Sequence, residues 1–127
     1  MGEQTLDQAR QYHTHRELKR QLAREQRRQE HYWQIRTTIQ RLAPAYPALR
    51  AVYLFGSLVQ PGRYGLRSDL DVAVACDNPA EESRFWQALE RELKCDIDLR
   101  PYRGAVAWAV NSYGECAYER KVSGTGT

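Results

Sequence analysis

Residues 51–76 read AVYLFGSLVQPGRYGLRSDLDVAVAC, and the order of residue types along this stretch decides the fold. Ala51 to Phe55 is a short strand, too apolar for a solvent-facing edge. It runs straight into Gly56-Ser57. From Gly56 to Ser68 the breakers Pro61, Gly62 and Gly65 predict a loop. Asp69 and Asp71 then open a second strand, Leu70 to Cys76, whose continuous apolar run suits a strand buried on both faces.

The chemistry of the stretch follows from those positions. Glycine at the end of a strand permits a sharp turn and close approach of the backbone to a ligand. Ser57 adds a hydroxyl and a backbone N–H, both able to face phosphate oxygens. Asp69 and Asp71 are two apart on a strand, so their side chains project from one face. Neighbouring carboxylates repel unless a cation sits between them. Mg²⁺ is the natural cation, because it uses few protein carboxylates and shares its remaining positions with phosphates and water. A second acidic strand, CDIDLR at residues 95–100, supplies Asp96 and Asp98 on one face, with Ile97 and Leu99 on the other. Asp98 lies deeper in the strand and is expected to join the first two as a further metal ligand or as a proton acceptor. Asp96 is expected at the solvated rim.

Working outward, residues 4 to 28 contain no Pro or Gly and are rich in Gln, Arg and Glu, which predicts a helix. Its apolar residues, Leu6, Ala9, Tyr12, Leu18 and Leu22, are too sparse to bury much. Trp33, Ile35, Ile39 and Leu42 give a more usual amphipathic segment, ended by Pro44 and Pro47. Asp77 or Asn78 can cap a helix beginning at Pro79, with Phe85, Leu89 and Leu93 as its buried stripe. A short helix is expected from Ala105 to Val110, an edge strand from Cys116 to Tyr118, and disorder in the tail SGTGT. Trp33, Trp86 and Trp108 are expected in the core.

The result is an α/β fold, a small mixed β-sheet backed by helices. Its expected divisions are an N-terminal helical extension at 1–30, the domain at 31–120 and a tail at 121–127. The 127 residues fit one domain, and 42% hydrophobic residues supply a modest core. A formal charge of +3 permits acidic partners without marking a nucleic acid binder. Three widely spaced cysteines exclude a disulfide framework and a CxxC metal site, and suit a reducing cytoplasm. Cys76 and Cys95, in apolar strand contexts, are expected as buried thiols. The polar N-terminus gives no expectation of a secretory leader, and no apolar run reaches membrane-spanning length. His13 and His15 are two apart and share no helical face, which disfavours a metal site there.

LFGS, a Gly-containing loop, SDLDVAV and DIDL together resemble the nucleotidyltransferase fold of the DNA polymerase β type. Over residues 35–120 the chain is most similar to its minimal, single-domain members, the antitoxins paired with HEPN-domain ribonuclease toxins. The resemblance implies that Gly56 and Ser57 hold the triphosphate of ATP. It also implies that Asp69 and Asp71 bind Mg²⁺ and that Asp98 completes the site. It further implies transfer of AMP from ATP to a tyrosine of a HEPN-type toxin. Two departures stand out. The interval from Ser57 to Asp69 is one residue longer than usual, and Leu58-Val59-Gln60 replaces small and basic residues. Two other readings stay open: an antitoxin that only blocks its toxin by docking, and a transferase acting on a small molecule. Arg63 and Arg67 flank the site, as phosphate contacts or as ordinary surface arginines. The N-terminal helix is expected to rest on a toxin or on a second copy of the chain, the alternative being a frayed, solvated extension. All motif residues lie beyond Phe55, so loss of residues 1–28 is expected to leave nucleotide binding intact.

Overall fold

The structure is a computed structural model that describes residues 2–65 and 69–121. The tail SGTGT, and Arg67 with Ser68, lie outside the described residues. Helix α1 spans Gly2–Leu42 without a break. It contains no proline and no glycine after its first residue, so nothing interrupts the backbone ladder, and it runs for about 60 Å. A 3-10 turn, Ala43–Ala45, carries Pro44 and ends it. Strand β1, Leu49–Phe55, enters a second 3-10 turn, Gly56–Val59. Strand β2 is Leu70–Cys76, helix α2 Pro79–Leu93 and strand β3 Ile97–Pro101. Helix α3, Gly104–Tyr113, and strand β4, Glu115–Glu119, follow.

The four strands lie in the order β3-β2-β1-β4. β1 pairs antiparallel with β2 and β4, and β2 pairs parallel with β3. The sheet is therefore mixed, with the two most apolar strands at its centre. Side chains alternate across it. Val52, Leu54, Leu70, Val72, Val74, Ile97 and Leu99 pack with Ile35 and Ile39 of α1 and Phe85 and Leu89 of α2. Phe55 and Ala73 face the other way and meet Val110 of α3. Asp71 and Asp98 belong to this second, more open face.

The start of α2 is set locally. Asn78 Oδ1 accepts from the N–H groups of Ala80 and Glu81 at 2.9 and 3.0 Å, and Pro79 takes the first helical position. Its far end closes on Lys94, held left-handed at φ 55°.

Three expectations change. Trp33, Trp86 and Trp108 are 60%, 37% and 70% exposed, so none is a core residue. Trp33 stands two positions from Ile35, on the far side of α1. Trp86 donates its indole N–H to the carbonyl of Ile97 at 2.8 Å. Glu90 accepts from the N–H of Ile97 at 2.9 Å, so α2 satisfies the open edge of β3 where it begins. Cys95 is exposed, because it falls in the turn between Lys94 and β3, and Cys76 is half-buried at a strand end. Finally, the segment after Phe55 opens as a hydrogen-bonded turn, with Leu58 fully buried.

Candidate active site

The site forms where β1 ends and β2 and β3 begin. Phe55 is opposite Asp71, which places the turn at Gly56 beside the first carboxylate of β2. Gly56 has φ +77°, a conformation side chains resist. A Cβ there would lie 2.1 Å from Asp71 Oδ2. Ser57 follows, half-buried, with its carbonyl accepting from the N–H of Gln60 at 3.2 Å. Leu58, in the segment that departs from the resembled pattern, anchors the turn in the core.

Asp71 and Asp98 are direct partners in the parallel register of β2 and β3. Asp69 is exposed, just ahead of β2. Asp71 is half-buried, and its carboxyl is pushed up from 3.8 to about 6. Burial is the main cause, followed by the negative charges of Asp98 and Asp69. Asp98 also faces Arg100, two residues on along β3. The Arg100 Nε lies 3.1 and 3.2 Å from its two oxygens and Nη2 3.1 Å from Oδ2. Asp96 is exposed and precedes the strand. Arg63 is exposed on the loop.

Among the described residues, no three Asp, Glu, His or Cys side chains converge into a ready-made metal cage. Asp71 nonetheless carries negative charge that its surroundings do not compensate, next to a second carboxylate and near a third. That donor set fits a hard divalent cation using one or two carboxylates and completing its shell with substrate oxygens.

Sequence reasoning passed over Arg100, although its two-residue spacing from Asp98 puts both on one face. It also missed Arg28, His31 and Tyr64, which bind the loop to α1 across 30 residues or more. No local pattern marks such contacts.

A strand–turn–strand unit that carries a Gly-Ser turn beside paired strand carboxylates, in a small mixed sheet, defines a nucleotidyltransferase-type fold. The family model described as Polymerase beta, Nucleotidyltransferase matches residues 37–122, and the chain belongs to that family. Solved structures agree. A chain of a toxin–antitoxin crystal structure with AMP-PNP is 28% identical at a TM-score of 0.55, over 68% of this chain and 74% of that one. A second match comes from the complex of tri-AMPylated Shewanella oneidensis HEPN toxin with MNT antitoxin. It is 25% identical at a TM-score of 0.50, over 70% of this chain and 73% of that one. A Sulfolobus solfataricus structure, 18% identical at a TM-score of 0.50, shares the fold over 76% of this chain and 88% of that one. No curated protein matches the chain significantly. Among the described residues no helix is long and apolar enough to cross a membrane.

Proposed function

We propose that the protein is an antitoxin that transfers AMP from Mg²⁺-bound ATP to a tyrosine hydroxyl of a HEPN-type toxin. The observation that carries this reading is the register pair Asp71–Asp98 beside the Gly56 turn, with the Asp71 carboxyl pushed up to about 6. The likeness to toxin–antitoxin structures holding AMP-PNP or an AMPylated HEPN toxin supports the partner and the donor.

In this reading Gly56 lets the backbone approach the triphosphate, and Ser57 offers its hydroxyl and N–H to phosphate oxygens. Asp69 and Asp71, with Asp98, hold Mg²⁺, which when bound neutralises charge on the triphosphate and on the leaving pyrophosphate. The tyrosine oxygen forms a bond to the α-phosphorus, the bond to the bridging oxygen of the β-phosphate breaks, and pyrophosphate departs. Asp98 takes the hydroxyl proton in this reading. Arg100 keeps that carboxylate oriented on the open face. The chain's contribution is positioning and charge placement.

The N-terminal part of α1 serves as the docking element in the same proposal. Leu6, Leu18 and Leu22 are 59%, 51% and 69% exposed, and a toxin or a second copy of the chain would cover them.

The test is incubation of the protein with ATP labelled at the α-phosphate, Mg²⁺ and a HEPN-type toxin. Label on a toxin tyrosine, lost with Asp71→Asn, is the expected result. A toxin that is bound and silenced without label would establish the docking-only antitoxin instead.

A further inference from the structure

The carboxylates form one half of the candidate site, and the Gly56–Val59 turn forms the other. The sheet holds the carboxylates. Besides the sheet, α1 also grips the turn. Arg28 Nη1 donates to the carbonyl of Leu58 at 2.9 Å, one residue past Ser57. The other edge of the same guanidinium grips Glu25, with Nε 2.9 and 3.1 Å from the two carboxylate oxygens and Nη2 2.5 Å from Oε1. The Arg28 side chain is only 12% exposed, and that of Glu25 30%. A cation buried to that extent needs a partner, and Glu25 supplies it. The pairing lowers the Glu25 carboxyl and raises the guanidinium. The backbone N–H of Gly62 lies against the same carboxylate.

A second contact closes the far end of the loop. His31 Nδ1 and the Tyr64 hydroxyl are 2.5 Å apart, and the rings meet edge to face at 5.6 Å. Tyr64 is 8% exposed. Glu25, Arg28 and His31 succeed one another at helical spacing along one side of α1, so three consecutive contacts reach Leu58, Gly62 and Tyr64. Leu58 is thereby pinned twice, through its buried side chain and through its carbonyl.

We infer that Glu25, Arg28 and His31 are positioning residues that clamp the Leu58–Tyr64 loop, and with it the Gly56-Ser57 turn, in the conformation that receives the triphosphate. The inference rests on the reading of Gly56-Ser57 as the phosphate-binding turn. A turn that must present backbone N–H groups to phosphate gains affinity when its conformation is set in advance.

The test uses the full chain and two readouts: calorimetric titration with Mg²⁺-ATP, and amide hydrogen exchange across residues 56–64. Arg28→Ala should weaken Mg²⁺-ATP roughly tenfold, the scale of one lost charge-assisted hydrogen bond. It should also speed exchange in the loop and leave β1 and β2 protected. Arg28→Lys, which keeps one donor but loses the fork, should fall between. Tyr64→Phe keeps the ring and removes only the hydroxyl, so it should loosen the far end of the loop even if Arg28→Ala folds poorly. Unchanged exchange in Arg28→Ala and Tyr64→Phe would show that the clamp holds nothing. Faster exchange with unchanged affinity would show that the nucleotide does not use the loop. If the parent protein binds no Mg²⁺-ATP, the functional reading fails by itself, and exchange alone decides the clamp.

Discussion

Gly56 and Asp71 leave no room between them: a Cβ on residue 56 would sit 2.1 Å from Asp71 Oδ2 and 3.0 Å from its Cγ. The turn and the carboxylate are therefore fitted to one another. Gly56→Ala carries two penalties at once. The left-handed backbone at φ +77° costs a side chain about 1–2 kcal/mol, and the methyl must displace the Asp71 carboxylate. Denaturant unfolding should show a loss of at least that size. Calorimetry should show no Mg²⁺-ATP binding even under conditions where the variant is folded. Retained binding would mean that Asp71 does not serve the nucleotide.

Asp71 itself sets a pH dependence. Its carboxyl is raised from 3.8 to about 6, so the folded protein holds that proton more tightly than the unfolded chain. The associated stability is fully present below about pH 3.8 and is lost as pH rises through about 6. The metal-free protein should therefore lose stability from this group between pH 5 and pH 7.5, while Asp71→Asn should not. Thermal unfolding at both pH values checks it. Relative to the parent, the variant should gain a few degrees on going to the higher pH, and Mg²⁺-ATP should restore the parent alone. A parent-minus-variant difference that stays flat with pH would contradict the raised Asp71 carboxyl, which burial causes first and the neighbouring carboxylates second.

The two acids of β3 should separate cleanly. Asp98 is in register with Asp71, whereas Asp96 is exposed ahead of the strand. Asp98→Asn should lower AMP transfer by about a hundredfold or more, the range for removal of a positioned proton acceptor, with circular dichroism unchanged. Asp96→Asn should stay close to the parent. Equal losses would remove the distinction, and a loss only from Asp96→Asn would invert it.

A stability prediction stands apart from the site. Lys94 ends α2 in the left-handed region at φ 55°, where glycine is preferred. Lys94→Gly should stabilise the fold by about 0.5–1 kcal/mol, since removal of the side-chain strain outweighs the added chain entropy. Thermal unfolding measures it, and Mg²⁺-ATP binding should not change.

What sequence could and could not show divides by distance along the chain. The strand into Gly56-Ser57, the shared face of Asp69 and Asp71, and the Asn78-Pro79 helix start are local, and all are visible as residue order. Asp98 was separable from Asp96 by its depth in a five-residue strand. The tryptophans were misread because size suggests burial, while helical phase decides it: Trp33 shares α1 with Ile35 but not its face. Cys95 was misread for a similar reason, since one residue of turn separates it from the apolar strand. The Arg28–Leu58 and His31–Tyr64 contacts span 30 and 33 residues, and they exist only because α1 lies along the loop.

Those contacts change what truncation should do. Sequence alone suggests that residues 1–28 can be removed without harm to nucleotide binding, because the motifs lie downstream. The structure draws the boundary earlier, since Glu25 and Arg28 hold the loop. Residues 1–20 include the exposed Leu6, Tyr12 and Leu18 and precede the first of those contacts. A helical segment with so little packing is marginal alone and needs a surface to rest on. Deletion of residues 1–20 should therefore leave Mg²⁺-ATP affinity within about twofold, below the scale of one lost hydrogen bond, and should weaken self-association or capture of the HEPN-type partner. Deletion of residues 1–28 should weaken both. Calorimetry reads the first effect, and light scattering with a pull-down of a HEPN-type toxin reads the second. Equal nucleotide affinity in the two truncations would place the loop's support elsewhere than Glu25 and Arg28, and association unchanged in both would end the docking role of the helix.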